Sequence, residues 1–253
     1  MSPPFDWIFF DCFNTLIDDF DPHGDESGLG PMQHLPVKAG LYADVYELRR
    51  DYLSWRQQTV KAQPEEMPIQ DRLRALLERR SPPLSTAALD QLVTQMVDCF
   101  IQTYPATLRL PAGVQEMLGH WRGTVSMGVV SNFHVGALPE QLLESFGLRQ
   151  YFDFVVDSAQ CGYRKPSDQI YAIAAATAQV PPEEYHRILF IGDHLQNDCL
   201  KPRTLGMSAV YFDRSAVRPR SASAPENIPA IQHWDDFRQE TLPQILGLSS
   251  SPP

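Results

Sequence analysis

Asp11 follows the apolar run Trp7–Phe10, Ser131 and Asn132 follow Val125–Val130, and Asp193 follows Ile188–Ile191 after a single glycine. A carboxylate or amide at the end of a buried strand loses hydration, so it needs a cation, a donor or a bound molecule in return. In open α/β sheets the carboxyl ends of the strands share one edge, and ligands bind there. Lys165, in the loop Gly162–Pro166, can reach the same edge. Two carboxylates, a hydroxyl, an amide and an amine would then meet in one pocket. Each has a structural alternative. Asp11 can cap a turn, Ser131 can cap the next helix, Lys165 can lie on the surface, and Asp193 can bond to its own turn. For all of them to fall at strand ends by accident is much less expected than convergence on one site.

The elements that would position them follow from the apolar pattern. Trp7–Phe10 is aromatic and β-branched, which suits a strand covered on both faces. Residues 18–36, rich in Asp, Gly and Pro, read as a long loop or flap. From Val37 to Lys61, apolar residues at Leu41, Val45, Leu48, Tyr52 and Trp55 give helical spacing. A second helix fits Ile69–Arg79, and Ser85 caps a third through Leu89, Leu92, Val93, Met96 and Phe100. Strand and helix alternation then resumes, with strands at Val125–Val130, Phe154–Val156, Ile188–Ile191 and Ala209–Phe212. Arg214–Pro229 reads as a mobile loop, Trp234–Leu242 as a last helix or turn, and Ser249–Pro253 as a disordered tail. The expected fold is α/β: a doubly wound, mainly parallel, Rossmann-like sheet with an inserted α-helical cap domain. Residues 1–17 and 106–248 would form the core, 18–105 the flap and cap, and 249–253 the tail.

Composition narrows the partners. Lys plus Arg number 21 against 31 Asp plus Glu, a formal charge of -10. That argues against nucleic acid and anionic membrane surfaces and leaves a small-molecule substrate held by local cations or a metal. Four scattered cysteines without a CxxC pair read as reduced thiols. No apolar run reaches the ~20 residues of a membrane span, and the N-terminus does not read as a signal peptide. The expectation is a cytoplasmic monomer or homodimer.

Asp11-Cys12-Phe13-Asn14-Thr15-Leu16, Val130-Ser131-Asn132, Arg164-Lys165-Pro166 and Gly192-Asp193-His194-Leu195-Gln196-Asn197-Asp198 together resemble, in order and spacing, the four motifs of the haloacid dehalogenase-like hydrolases. The resemblance covers about Asp6 to Phe212, and the helical stretch is similar to the cap inserted after the first motif in one branch of that family. It implies that Asp11 is a carboxylate nucleophile and that Ser131 and Lys165 bind the transferred group. It implies Mg²⁺ held by Asp11, the Phe13 carbonyl, Asp193 and Asp198, with Asn197 supporting them. Asn132, Phe13, Thr15 and a cap arginine, Arg49 or Arg50, would face the substrate.

One position departs from the phosphatases of that family. They carry a second Asp two residues after the nucleophile, which protonates the leaving group and activates water. Here that residue is Phe13. The dehalogenase members carry an aromatic residue there, use no metal and need a cap arginine. The paired acids Asp193 and Asp198 point back to the metal-binding form. Three readings follow: a Mg²⁺-dependent hydrolase of a small phosphorylated metabolite, a 2-haloacid dehalogenase, or a binding relative without turnover. In the first, His134, His194, Asp18 or Asp19 could replace the missing acid. Tyr42, Tyr46, Tyr52 and Trp55 either line the cap surface or pack in its core.

Overall fold

A computed structural model describes residues 3–19, 30–60, 63–217, 223–226, 228–238 and 241–242. Six strands form one parallel sheet: β1 (Trp7–Phe10), β4 (Ser126–Ser131), β5 (Phe154–Asp157), β6 (Ile188–Gly192), β7 (Ser208–Phe212) and β8 (Ala230–Ile231). Their order is β5-β4-β1-β6-β7-β8. β1 therefore lies between the two halves of the sheet, with Phe10 paired to Val129 on one side and Ile191 on the other. The period-2 alternation of side chains feeds both faces. Ile8 and Phe10 enter one apolar cluster, while Phe9 enters another with Ile170, Tyr171 and Phe190. Gly128 is needed beneath this second face: a Cβ there would lie 2.2 Å from the Phe154 ring.

Helices α5 (Val114–Trp121), α6 (Leu138–Ser145), α7 (Ser158–Cys161), α8 (Asp168–Thr177) and α9 (Lys201–Thr204) connect the strands. The helical segment consists of α1 (His34–Lys38), α2 (Val45–Trp55), α3 (Ile69–Leu77) and α4 (Thr86–Thr103). Ser85 caps α4 as expected, accepting the Ala88 N–H at 3.3 Å. Leu48, Tyr52, Leu73, Leu76 and Met96 join the same apolar cluster as Ile8 and Phe10, so the helices and the sheet share one core. Burying each such side chain contributes about 1.5–3 kcal/mol.

Several expectations are corrected. The periodic stretch from Val37 is two helices, because Gly40 takes a left-handed φ of 74° and Asp44 starts α2 by accepting the Glu47 N–H at 2.8 Å. After α2 the chain widens into a π-helical turn, Arg56–Val60. The expected 18–36 loop begins with a strand, β2 (Asp18–Asp19), paired antiparallel with β3 (Leu108–Arg109). It ends in the Gly30–Gln33 turn and α1, and its residues 20–29 lie outside the described residues. Arg214, assigned to a mobile loop, is buried and holds Asp18 at 2.5 Å. The proposed tail 249–253 lies outside the described residues. No described helix is long and apolar enough to cross a membrane.

Candidate active site

The strand order reverses on either side of β1, which places the crevice at its carboxyl end. Asp11 continues the ladder by one bond, its N–H donating to Ile191 O at 2.8 Å. The chain then turns sharply. Leu16 and Ile17 both donate their N–H groups to Cys12 O, at 2.8 and 3.0 Å. Asn14 adopts φ 65°, a region that Asn tolerates better than most residues. The turn returns Thr15 to Asp11, with Oγ1 at 3.3 Å from Asp11 Oδ2 and 3.5 Å from Asp193 Oδ1. One hydroxyl carries one proton, so it serves one carboxylate at a time.

Lys165 is 2 % exposed, not a surface lysine. Its Nζ lies 2.7 Å from Asp11 Oδ1 and 2.7 Å from Asp198 Oδ1. Its backbone is clamped by Asn132, which accepts the Lys165 N–H at 2.7 Å and donates to the Lys165 carbonyl at 2.8 Å. Asn132 was expected to face the substrate; its amide is used at both ends to set the lysine. Asp198 is fully buried and accepts the His194 N–H on Oδ2 at 2.9 Å. It lies so close under β6 that a Cβ on Gly192 would sit 2.4 Å from its carboxyl carbon. Glycine is the residue that fits there.

Asp11, Asp193 and Asp198 each offer an oxygen within 4.8 Å of the others. Lys165 thus bonds two of three crowded carboxylates. Burial pushes the Asp11 carboxyl up to about 6; Lys165 opposes this and Asp198 adds to it. Burial works against the Lys165 ammonium, but Asp11 and Asp198 outweigh it and raise its pKa. Ser131 Oγ is buried and has no hydrogen-bond partner among the described residues, so it does not cap α6. A hard, oxygen-liganded divalent cation beside an anionic group fits this donor set: the ion offsets the repulsion among the three carboxylates, and the anion supplies an acceptor for the serine.

Phe13 stacks on Phe133 with centroids 4.4 Å apart and leans on Tyr104 at 6.0 Å. The groups considered for the missing acid are engaged elsewhere. His134 packs against Phe133 at 4.8 Å and Phe100 at 5.3 Å. Burial, then the nearby Arg72, Arg56 and Arg164, hold it well below the usual histidine range. Asp18 is paired with Arg214. Asp19 Oδ2 accepts from Tyr104 Oη at 3.0 Å. His194 is exposed and accepts the Asn197 N–H on Nδ1 at 3.3 Å. Asn197 also receives Tyr171 Oη on its carbonyl. On α2, Arg49 is half-buried and Arg50 exposed; neither is among the side-chain partners of Asp11, which in the described residues are Lys165 and Thr15. Tyr42, Tyr52 and Trp55 pack in the core, while Tyr46 is 77 % exposed.

Sequence reading missed a second buried polar group. Glu66 pairs with Arg72 and accepts from Ser158 Oγ at 2.7 Å. Around it the segment before α3 pairs with the loop that carries Lys165: Glu66 N–H donates to Gly162 O at 2.9 Å and Arg164 N–H to Pro64 O at 3.0 Å. The available signal was a charged pair in a Pro-bounded linker, which reads as ordinary surface.

Comparison with known proteins places this geometry in a class. The family model described as haloacid dehalogenase-like hydrolase matches residues 5–200. The chain belongs to that family. It is 32% identical over 123 residues to haloacid dehalogenase-like hydrolase domain-containing protein 3 of Xenopus laevis, covering 48% of this chain and 46% of that one. It is 32% identical over 101 residues to a pyrimidine 5'-nucleotidase of Escherichia coli, covering 40% of this chain and 44% of that one. The matches thus span about half the length of these curated relatives. Among solved structures, a 2-haloacid dehalogenase from Pseudomonas syringae superposes with TM-score 0.67 at 18% identity, covering 96% of this chain and 99% of that one. A HAD phosphatase from Thermococcus onnurineus superposes with TM-score 0.65 at 19% identity, covering 98% of each. Phosphatase and dehalogenase share the fold, so the fold does not choose between their reactions.

Proposed function

We propose that the chain is a Mg²⁺-dependent phosphate-ester hydrolase acting on a small metabolite, with Asp11 as nucleophile. The observation that carries this reading is the convergence of three carboxylates, Asp11, Asp193 and Asp198, whose oxygens lie within 4.8 Å of one another, with Lys165 bonded to Asp11 and Asp198. A metal-independent displacement at carbon has less need of Asp193 and Asp198 beside Asp11. Asp11 and Asp193 would ligate the ion, and Asp198, already bonded to Lys165 and His194, would order its waters. The Phe13 carbonyl completes the set implied by the family. Bound there, the ion would neutralise charge on the phosphoryl oxygens.

The protein's own groups do the rest. Lys165 holds Asp11 Oδ1 and draws in the anionic group. Thr15 steadies the other oxygen. Ser131 Oγ donates to a phosphoryl oxygen, which gives its buried hydroxyl a partner. Asn132 keeps the lysine in place, and Asn197 holds the turn that carries Asp198.

A second reading, 2-haloacid dehalogenation with the same nucleophile, draws support from the aromatic residue at position 13 and its stack on Phe133. One assay separates them. Aryl phosphate and 2-chloropropionate are offered with and without EDTA. The proposal expects phosphate release that EDTA abolishes and that Asp11→Asn lacks. Chelator-resistant chloride release would replace it with the second reading, and neither product would leave a binding protein.

A further inference from the structure

A cleft of about 380 Å³ opens where the chain leaves the sheet for the helices and returns. Its lining includes Asp18 of β2, Arg109 of β3, Pro111, and Phe212, Arg214 and Trp234 from β7 and the segments that follow it. Asp11, Ser131, Lys165, Asp193 and Asp198 are not among the lining residues, so this space is separate from the candidate active site. The chain carries a formal charge of -10, yet this lining holds two guanidinium groups and one carboxylate. Both oxygens of that carboxylate accept from one nitrogen, Arg214 Nη2, at 2.5 Å.

Arg214 is 8 % exposed, and its Nε has no hydrogen-bond partner among the described residues. A buried charged donor without an acceptor forfeits its hydration for nothing in return. The neighbouring Asp213 is directed elsewhere, accepting the Ser215 N–H on Oδ1 at 2.9 Å and the Ala224 N–H on Oδ2 at 3.1 Å. Arg109 is exposed and anchored through Nη1, which donates to the carbonyls of Ala106 and Leu108 at 2.9 and 2.6 Å. Its planar fork has further N–H groups to offer an anion. The walls are flat and apolar. The Arg214 guanidinium lies over the Phe212 ring at 4.8 Å, and Phe212 packs on Trp234 with centroids 4.4 Å apart. A few polar groups converging above apolar walls are what a small-molecule pocket offers.

We propose that this cleft is a second ligand site, which takes a small organic anion with a flat apolar body. The carboxylate or phosphoryl head bridges Arg109 and Arg214, and the body lies along Pro111, Phe212 and Trp234. Occupied, the cleft joins β3 to the loop after β7 at the base of the helical segment. The site would exist whichever reaction Asp11 performs.

The test titrates the whole chain, in EDTA, with benzoate, phenylphosphonate and the neutral benzamide, followed by calorimetry and by NMR of the arginine Nε–H groups. The Nε–H signal absent from Arg214→Lys should shift in wild type as either anion binds. Arg109→Gln should lower anion affinity ~10-fold, the scale of one charge-assisted hydrogen bond, and benzamide should bind more weakly than benzoate by at least about as much. Ser131→Ala strips the hydroxyl expected to meet an anion at the Asp11 site, and it should leave the affinity unchanged. The tighter of the two anions identifies the head group as carboxylate or phosphoryl. If Arg214→Lys does not fold, the Arg109→Gln and Ser131→Ala titrations decide alone. Anion affinity that Arg109→Gln leaves unchanged, equal affinity for benzoate and benzamide, or no binding of either anion at millimolar concentration would overturn the proposal. None of these results bears on the hydrolase reading.

Discussion

Glu66 and Arg72 form a buried ion pair in which each charge meets the other; at Asp11, Lys165, Asp193 and Asp198, three carboxylates crowd together and Lys165 bonds two of them. Glu66 receives Arg72 and the Met67 N–H on one oxygen and Ser158 Oγ on the other. Arg72 Nε donates to Met67 O at 2.6 Å. In the Asp11 cluster Lys165 bonds two of three crowded carboxylates, and the hydroxyl of Ser131 has no partner among the described residues. The first group ties α3 to α7 and to the Lys165 loop. Nothing further is needed to stabilise it. The second is stable only at a cost in desolvation, and binding of a cation and an anion would relieve that cost. Mutual pairing marks the first cluster; crowded carboxylates beside a buried hydroxyl without a partner among the described residues mark the candidate site.

The sharpest way to break the comparison is Asp11→Asn. It should reduce hydrolysis by roughly 10⁴-fold or more, the scale of losing a nucleophile, measured with p-nitrophenyl phosphate. Because it removes one of three crowded carboxylates, folding stability in urea should stay level or rise by about 1 kcal/mol. A large loss of stability instead would mean that Asp11 is structural.

Arg72→Met should do the reverse at the other cluster. Leaving Glu66 buried without its cation costs about 3–5 kcal/mol in folding stability. The double variant Arg72→Met/Glu66→Gln should recover part of it. Guanidinium titrations of the three proteins test this, and additive losses would dissolve the pairing.

Mg²⁺ should act on one cluster alone. At 100 times its dissociation constant a ligand stabilises the folded state by ~2.7 kcal/mol, which thermal melts with and without EDTA would register. Asp193→Asn should abolish that gain, and Glu66→Gln should leave it intact. Equal gains in wild type and Asp193→Asn would remove the metal from the Asp11 site.

The contrast also explains what could be read in the chain beforehand. Asp11, Ser131 and Asp193 end apolar runs, and a local pattern of that kind survives folding because the sheet itself sets where strands stop. Ser85 was legible for the same reason, since a cap acts on its own helix. Asp44 was equally local: an Asp three residues before Glu47 opens an apolar helix, and periodicity through Leu41 concealed it. The partners of Asn132 and Glu66 were not legible. They lie 33 and 92 positions away, and no local spacing selects one amide or acid among many. β2 and β3, two residues each, are too short for alternation to show.

The smallest effect concerns pH, and the two clusters enter it with opposite signs. His134 lies beside Arg72 and is held neutral by burial and by the surrounding guanidinium groups. Its folded pKa is below its unfolded value of about 6.5, so the unfolded chain binds the extra proton. Its contribution to stability is complete above about pH 6.5 and is lost as pH falls below it, by up to ~1.4 kcal/mol per unit. Asp11 shifts the other way: burial raises it from 3.8 to about 6, so in metal-free protein the folded state binds the extra proton. It destabilises the fold above about pH 6, and that penalty fades as pH falls toward 4. The two trends oppose each other between pH 4 and 6, which should leave the wild-type curve shallow there. His134→Phe keeps a ring in the stack and removes one titration, so stability should rise on acidification from pH 6 to 5. Asp11→Asn should make it fall. Urea titrations at pH 5, 6 and 7 in EDTA compare the slopes. Parallel slopes in the two variants would show that neither group carries the charge state assigned to it.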